Sequence, residues 1–153
     1  MSEAPCDVWF YHLERSGLDQ VLPELLEKTL ARGWKALVRA KERSRVEHLD
    51  GWLWTYRDES FLGHGTDDEP MAERQPVLLT VGAENPNSAD VLFLVDGAEA
   101  GDISPYQRCI LLFDGRDGEA LAEARRRWSA FKSAGHPVSY WRQGETSGWR
   151  QEA

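Results

Sequence analysis

Apolar positions along the chain fall into two kinds of run that alternate. Val8–Leu13 (VWFYHL) is almost continuously apolar, aromatic and β-branched, as a strand covered on both faces should be. Leu18, Val21, Leu22, Leu25, Leu26 and Leu30 then recur at helical spacing. Ser16 with Asp19 three residues on reads as the cap of that helix, Pro23 falls in its first turns, and Gly33 fits the position just past its end. A second strand is expected over Trp34–Ala40. A second helix opens at Ser44, with Val46, Leu49, Leu53 and either Trp52 or Trp54 on its apolar side. Residues 58–75 read as a loop carrying Gly63, Gly65, Pro70 and the acidic run Asp67–Glu69. Short buried strands follow at Val77–Val81, Val91–Val95 and Cys109–Phe113. A helix is expected over Gly118–Ala134, ended by Gly135 and Pro137, and then a last strand at Val138–Arg142. Strands alternating with helices predict one α/β domain over residues 1–153, a mainly parallel sheet flanked by helices. A flexible tail is expected after about residue 145.

The length, 153 residues, suits one domain with a core that needs no disulfide or metal. The formal net charge is −8, which argues against a chain that coats DNA or an anionic membrane by bulk electrostatics. That sum hides a segregation. Residues 28–45 hold Lys28, Arg32, Lys35, Arg39, Lys41, Arg43 and Arg45 against the single acid Glu42, and residues 57–104 hold eleven acids against Arg57 and Arg74. From Glu119 onward the chain is basic again, with Arg125, Arg126 and Arg127 consecutive. The 28–45 segment offers a direct nucleic-acid reading, but part of it is a predicted buried strand, so its charges cannot all face one groove. Cys6 and Cys109 have no metal-ligand spacing and are expected as two reduced thiols. No signal peptide is visible, and no apolar run approaches the roughly 20 residues of a membrane helix. A cytoplasmic protein without membrane association is expected.

An α/β pattern invites a search for a nucleotide site. The chain has no GxxxxGK[ST], and the turn after the first strand, Glu14-Arg15-Ser16-Gly17, lacks the glycine spacing of a dinucleotide loop. The expected fold is therefore Rossmann-like without a phosphate loop, and no cofactor or metal is expected. His12, His48, His64 and His136 are scattered. Asp114 and Asp117 flank a glycine at a strand–helix junction, where open α/β sheets place many sites. An α/β enzyme of unknown class using that junction is one reading. A plain turn followed by a helix cap is the other.

The last predicted helix is the most distinctive segment. Arg125, Trp128, Ser129 and Lys132 fall at i, i+3, i+4 and i+7 and share a face. Cation, aromatic and cation in succession suit a peptide that ends in an apolar side chain and a carboxylate. The alternative is a Trp128 turned into the core beside solvated bases.

Several segments resemble the chi subunit of bacterial DNA polymerase III. They are Val8–Leu13, Leu53-Trp54 with Glu59–Gly65, Arg108–Gly115, and Ala124-Arg125, Trp128, Phe131-Lys132 and Gly135-His136, closing on Tyr140–Gln143. Their order and spacing together carry the likeness, which spans nearly the whole chain. The resemblance implies a non-catalytic accessory subunit of the clamp-loader assembly that binds the acidic C-terminal tail of single-stranded DNA-binding protein. DNA would then be reached only indirectly. By that likeness Arg125 and Lys132 hold the tail's carboxylates, Trp128 packs on its apolar end, and Tyr140 lines the pocket. Ser129 stands where the family has Lys, which removes one cation. A second family surface, for the psi subunit or a helicase, would involve Trp54, Phe61 and His64. There Gly63 replaces the family's Pro.

Overall fold

The computed structural model describes residues 6–14, 17–55, 64–143 and 149–152. In chain order the elements are β1 (Asp7–Leu13), α1 (Leu18–Ala31), β2 (Ala36–Arg39), α2 (Arg43–Thr55), β3 (Gly65–Thr66), β4 (Val77–Thr80), β5 (Val91–Leu94), β6 (Arg108–Asp114), α3 (Gly118–Ser133), β7 (Val138–Gln143) and β8 (Trp149–Gln151). One sheet takes the order β3-β4-β2-β5-β6-β1-β7-β8. Its pairings are parallel except β7 with β8. The chain is α/β with a single, mainly parallel sheet, as the alternating pattern predicts.

Why the strands read as continuous apolar runs is plain from burial. Every residue of β2, β4 and β5 is buried, because helices or loops cover both faces of the sheet centre. Alternate side chains feed two cores. Tyr11, Val38, Phe93 and Leu112 pack with Leu22 and Leu26 of α1 and Leu49 of α2. Phe10, Leu37, Leu92 and Leu111 pack on the opposite face with Ala124 of α3, and Trp128 and Phe131 close over them. Cys6 and Cys109 lie free and buried in this second core. Burial pushes the Cys6 thiol up to about 12 and raises that of Cys109 as well, so neither is a thiolate at neutral pH.

The structure departs from the sequence expectations at element ends. Gly17 caps α1 and no side chain caps the helix there; Ser16 lies outside the described residues. Helix α2 begins at Arg43, one residue before Ser44. The segment read as a loop contributes β3 and a short 3-10 turn at Ala72–Arg74. The expected tail includes β8, which pairs Trp149, Arg150 and Gln151 with Gln143, Arg142 and Trp141.

The basic run 28–45 does not form one face. Arg39 is buried, Arg43 pairs with Asp67 at 2.8 Å, and Arg45 pairs with Asp96 at 2.6 Å. Three of the seven cations in the run are thus engaged within the fold. No described helix is long and apolar enough to cross a membrane.

Candidate functional site

Helix α3 starts on Asp117, whose side chain accepts hydrogen bonds from the backbone N–H groups of Glu119 and Ala120. From there the helix lies along β6 and β7. Ala124, Trp128 and Phe131 turn toward the sheet. The Trp128 ring meets Phe10 edge-on at 5.5 Å and Tyr140 at 6.0 Å, and Phe131 meets Phe10 at 6.4 Å. Trp128 and Tyr140 are only half-buried, so their outer edges form a small apolar ledge. Trp128 packs on the core and still presents surface.

Arg125, Ser129 and Lys132 are exposed along this ledge. The three consecutive arginines differ sharply. Glu123 accepts from both Arg126 and Arg127, and Arg127 also donates to the carbonyls of Ala98 at 2.7 Å and Gly97 at 2.8 Å. Arg125 and Lys132 make no hydrogen bond or ion pair with any described residue. The predicted set Arg125, Trp128, Ser129, Lys132 and Tyr140 is therefore gathered in one place: two unengaged cations beside a half-exposed pair of aromatic rings. Such an arrangement has the chemistry to pair a carboxylate and cover an apolar side chain at once.

Tyr140 is held from behind by a residue that the periodicity did not mark. Its hydroxyl lies 2.5 Å from Nδ1 of His12, a residue only 6% exposed. Burial lowers the His12 pKa and favours the neutral ring. Burial also raises the Tyr140 phenol, while Arg142 and Arg125 pull it the other way. Phe113 fills the space beside both, 5.2 Å from His12 and 6.1 Å from Tyr140. The imidazole has room only because residue 115 is glycine: a Cβ there would sit 1.8 Å from Nε2. Gly115→Ala is expected to cost about 1–3 kcal/mol by overpacking, and to free the Tyr140 hydroxyl from His12. Urea unfolding of the variant checks this, and an unchanged midpoint would contradict it.

The second predicted surface divides. Trp54 is 51% exposed on α2. His64 lies beneath it, its ring 4.3 Å from the indole, with Nε2 3.0 Å from the Asp50 carbonyl. His64 is buried beneath the exposed Trp54 ring. Phe61 lies outside the described residues.

An open crevice of about 1400 Å³ runs along the carboxyl ends of the strands. It holds Asp114 and Asp117, the pair behind the enzyme reading. Both are engaged: Asp114 accepts from the Arg116 backbone and guanidinium, and Asp117 caps α3. The hydrogen bonds from Arg116 hold the Asp114 carboxyl below its usual range. Several other charges that line the crevice are paired, Arg45 with Asp96 and Arg126 and Arg127 with Glu123, while Lys41, Glu99 and Glu119 line it without an ion pair among the described residues. The geometry is that of a turn and a cap. Among the described residues, no group of three or more His, Cys, Asp or Glu is placed to hold a metal ion.

Comparison with known proteins agrees with the motifs. The sequence profile described as DNA polymerase III chi subunit, HolC, matches residues 6–139. A Rickettsia prowazekii protein named "Probable DNA polymerase III subunit chi" is 27% identical over 103 residues, 67% of this chain and 62% of that protein. The chain thus spans less than two thirds of that relative's length. A Pseudomonas aeruginosa protein named "DNA polymerase III subunit chi" is 26% identical over 120 residues, covering 78% of this chain and 82% of the relative. With the profile matching most of the chain, and the motifs in the family's order on an α/β sheet, the chain belongs to the DNA polymerase III chi subunit family.

Proposed function

We propose that this chain is a non-catalytic accessory subunit of the cytoplasmic replicative polymerase, acting within its clamp-loader assembly. In this role it docks the acidic C-terminal tail of single-stranded DNA-binding protein. One observation carries the reading: Arg125 and Lys132, two exposed cations without partners among the described residues, flank the half-exposed Trp128–Tyr140 ledge. The tail's terminal carboxylate and acidic side chains meet the cations, and its apolar end lies on the rings. Ser129 leaves the centre of the face uncharged, so binding rests on two cations rather than three. Trp54, backed by His64, is the anchor of a second surface for psi or a helicase. DNA is reached through the partner, in keeping with a net charge of −8.

A pull-down with intact single-stranded DNA-binding protein tests this reading. Retention by the intact protein, and loss when its last residues are removed, is the expected result. Equal retention of the truncated protein would sink it.

A further inference from the structure

A second set of cations lies on the other face of the sheet from Trp128. The Arg108 guanidinium sits 3.9 Å from the Trp9 ring and 5.2 Å from the Trp34 ring, and Arg32 sits 4.2 Å from the same Trp34 ring. Trp9 in turn stacks on Trp141 at 5.3 Å. The indoles pack against the core that α1 and α2 cover. Stacking of this kind attracts the flat face of a guanidinium and leaves its in-plane N–H donors unanswered. No described residue answers them. Among the described residues neither arginine has a carboxylate partner, and Arg108 Nε is buried without an acceptor. Asp7, the register partner of Arg108 on β1, makes no ion pair with it. Burial lowers the Arg108 pKa and the neighbouring charge of Arg32 adds to it, while Tyr11, Asp7 and Cys6 pull the other way without reversing the shift. Lys28, one turn before Arg32 on α1, adds a third cation to that side.

We propose that Arg32 and Arg108, held on the Trp34–Trp9 stack, form a second anion-binding site, one that takes the side-chain carboxylates of an acidic peptide segment. Carboxylates supply the in-plane acceptors that the stack leaves missing, and the indole edges accept an apolar neighbour in the same segment. A nucleic-acid strand fits less well. It needs a cationic track for successive phosphates, and here an acidic molecule supplies a compact cluster.

The test uses full-length protein carrying Arg125→Ala and Lys132→Ala, which removes the cations of α3. The probe is a short fluorescein-labelled peptide of alternating Asp and Phe, amidated at its C-terminus so that only side-chain carboxylates are offered. Anisotropy titration is expected to show saturable binding that weakens as salt rises. Arg32→Gln or Arg108→Gln should each weaken it about ten-fold, the size of one charge-assisted contact. Arg32 is exposed, so its variant keeps the test open if Arg108→Gln fails to fold. Absence of binding, or binding indifferent to the substitutions, overturns the proposal. Displacement of the peptide by a thymidine oligonucleotide at lower concentration also overturns it, by assigning the site to phosphodiesters. Because the background lacks the α3 cations and the probe lacks a free terminus, failure here leaves the α3 docking site untouched, and failure there leaves this one untouched.

Discussion

Arg39→Ala should be the most destabilising single substitution in the molecule outside its apolar core. Arg39 ends β2 at 4% exposure, between β4 and β5 in the sheet. Its guanidinium donates to four backbone carbonyls: Gly82 at 2.7 Å, Ala100 at 2.8 Å, Glu99 at 3.2 Å and Glu84 at 3.4 Å. Gly82 and Glu84 follow β4, and Glu99 and Ala100 follow β5. One side chain therefore ties together the loops beyond both neighbouring strands. Truncation leaves a void and takes the donor from four part-buried carbonyls. At about 1 kcal/mol or more for each lost bond, the expected cost is about 3–5 kcal/mol. Arg39→Lys should fall in between, because a single ammonium cannot span carbonyls on two loops. Urea unfolding would show the alanine midpoint far below wild type with the slope unchanged. A wild-type midpoint would show that the loops hold without the clamp.

Arg125→Ala combined with Lys132→Ala should have the largest effect on binding. The two residues lie two turns apart, on either side of Trp128, and neither is committed elsewhere in the described structure. Removing them therefore breaks no hydrogen bond or ion pair among the described residues and should leave the unfolding midpoint in place. Each is expected to contribute about ten-fold to affinity for an acidic, carboxylate-terminated peptide, and the pair about a hundred-fold. Arg126 and Arg127 are the natural controls. Their charges go to Glu123 and to the carbonyls after β5, so Arg126→Ala should barely change affinity.

Most of this fold was legible because central strands and helix faces carry strong periodicity. Val91–Leu94 reads as buried on both sides, and it is. The misses have local causes. Strand β8 is three residues, Trp-Arg-Gln, with no alternation to detect. It exists because β7 offers an edge, and antiparallel pairing with that edge satisfies its backbone. Strand β3 is two residues long. The strand order, with β1 and β2 separated by β6 and β5, depends on long-range packing that no local pattern encodes. At the site, the shared face of Arg125, Trp128 and Lys132 followed from helical spacing alone. The fate of Arg126 and Arg127 was also readable, since both lie at i+3 and i+4 from Glu123. His12 was not, because its role depends on a contact to Tyr140, 128 positions away, and on the absence of a side chain at Gly115.

The central claim is that the α3 face reads a free terminal carboxylate beside an apolar residue. The most direct measurement is a titration cycle: an acidic peptide with an apolar last residue, as free acid and as amide, against wild type and Arg125→Ala/Lys132→Ala. The account predicts that amidation weakens binding to wild type about ten-fold and leaves binding to the double variant almost unchanged. Equal affinity of wild type for the acid and the amide, or an amide effect of the same size in both proteins, would contradict it.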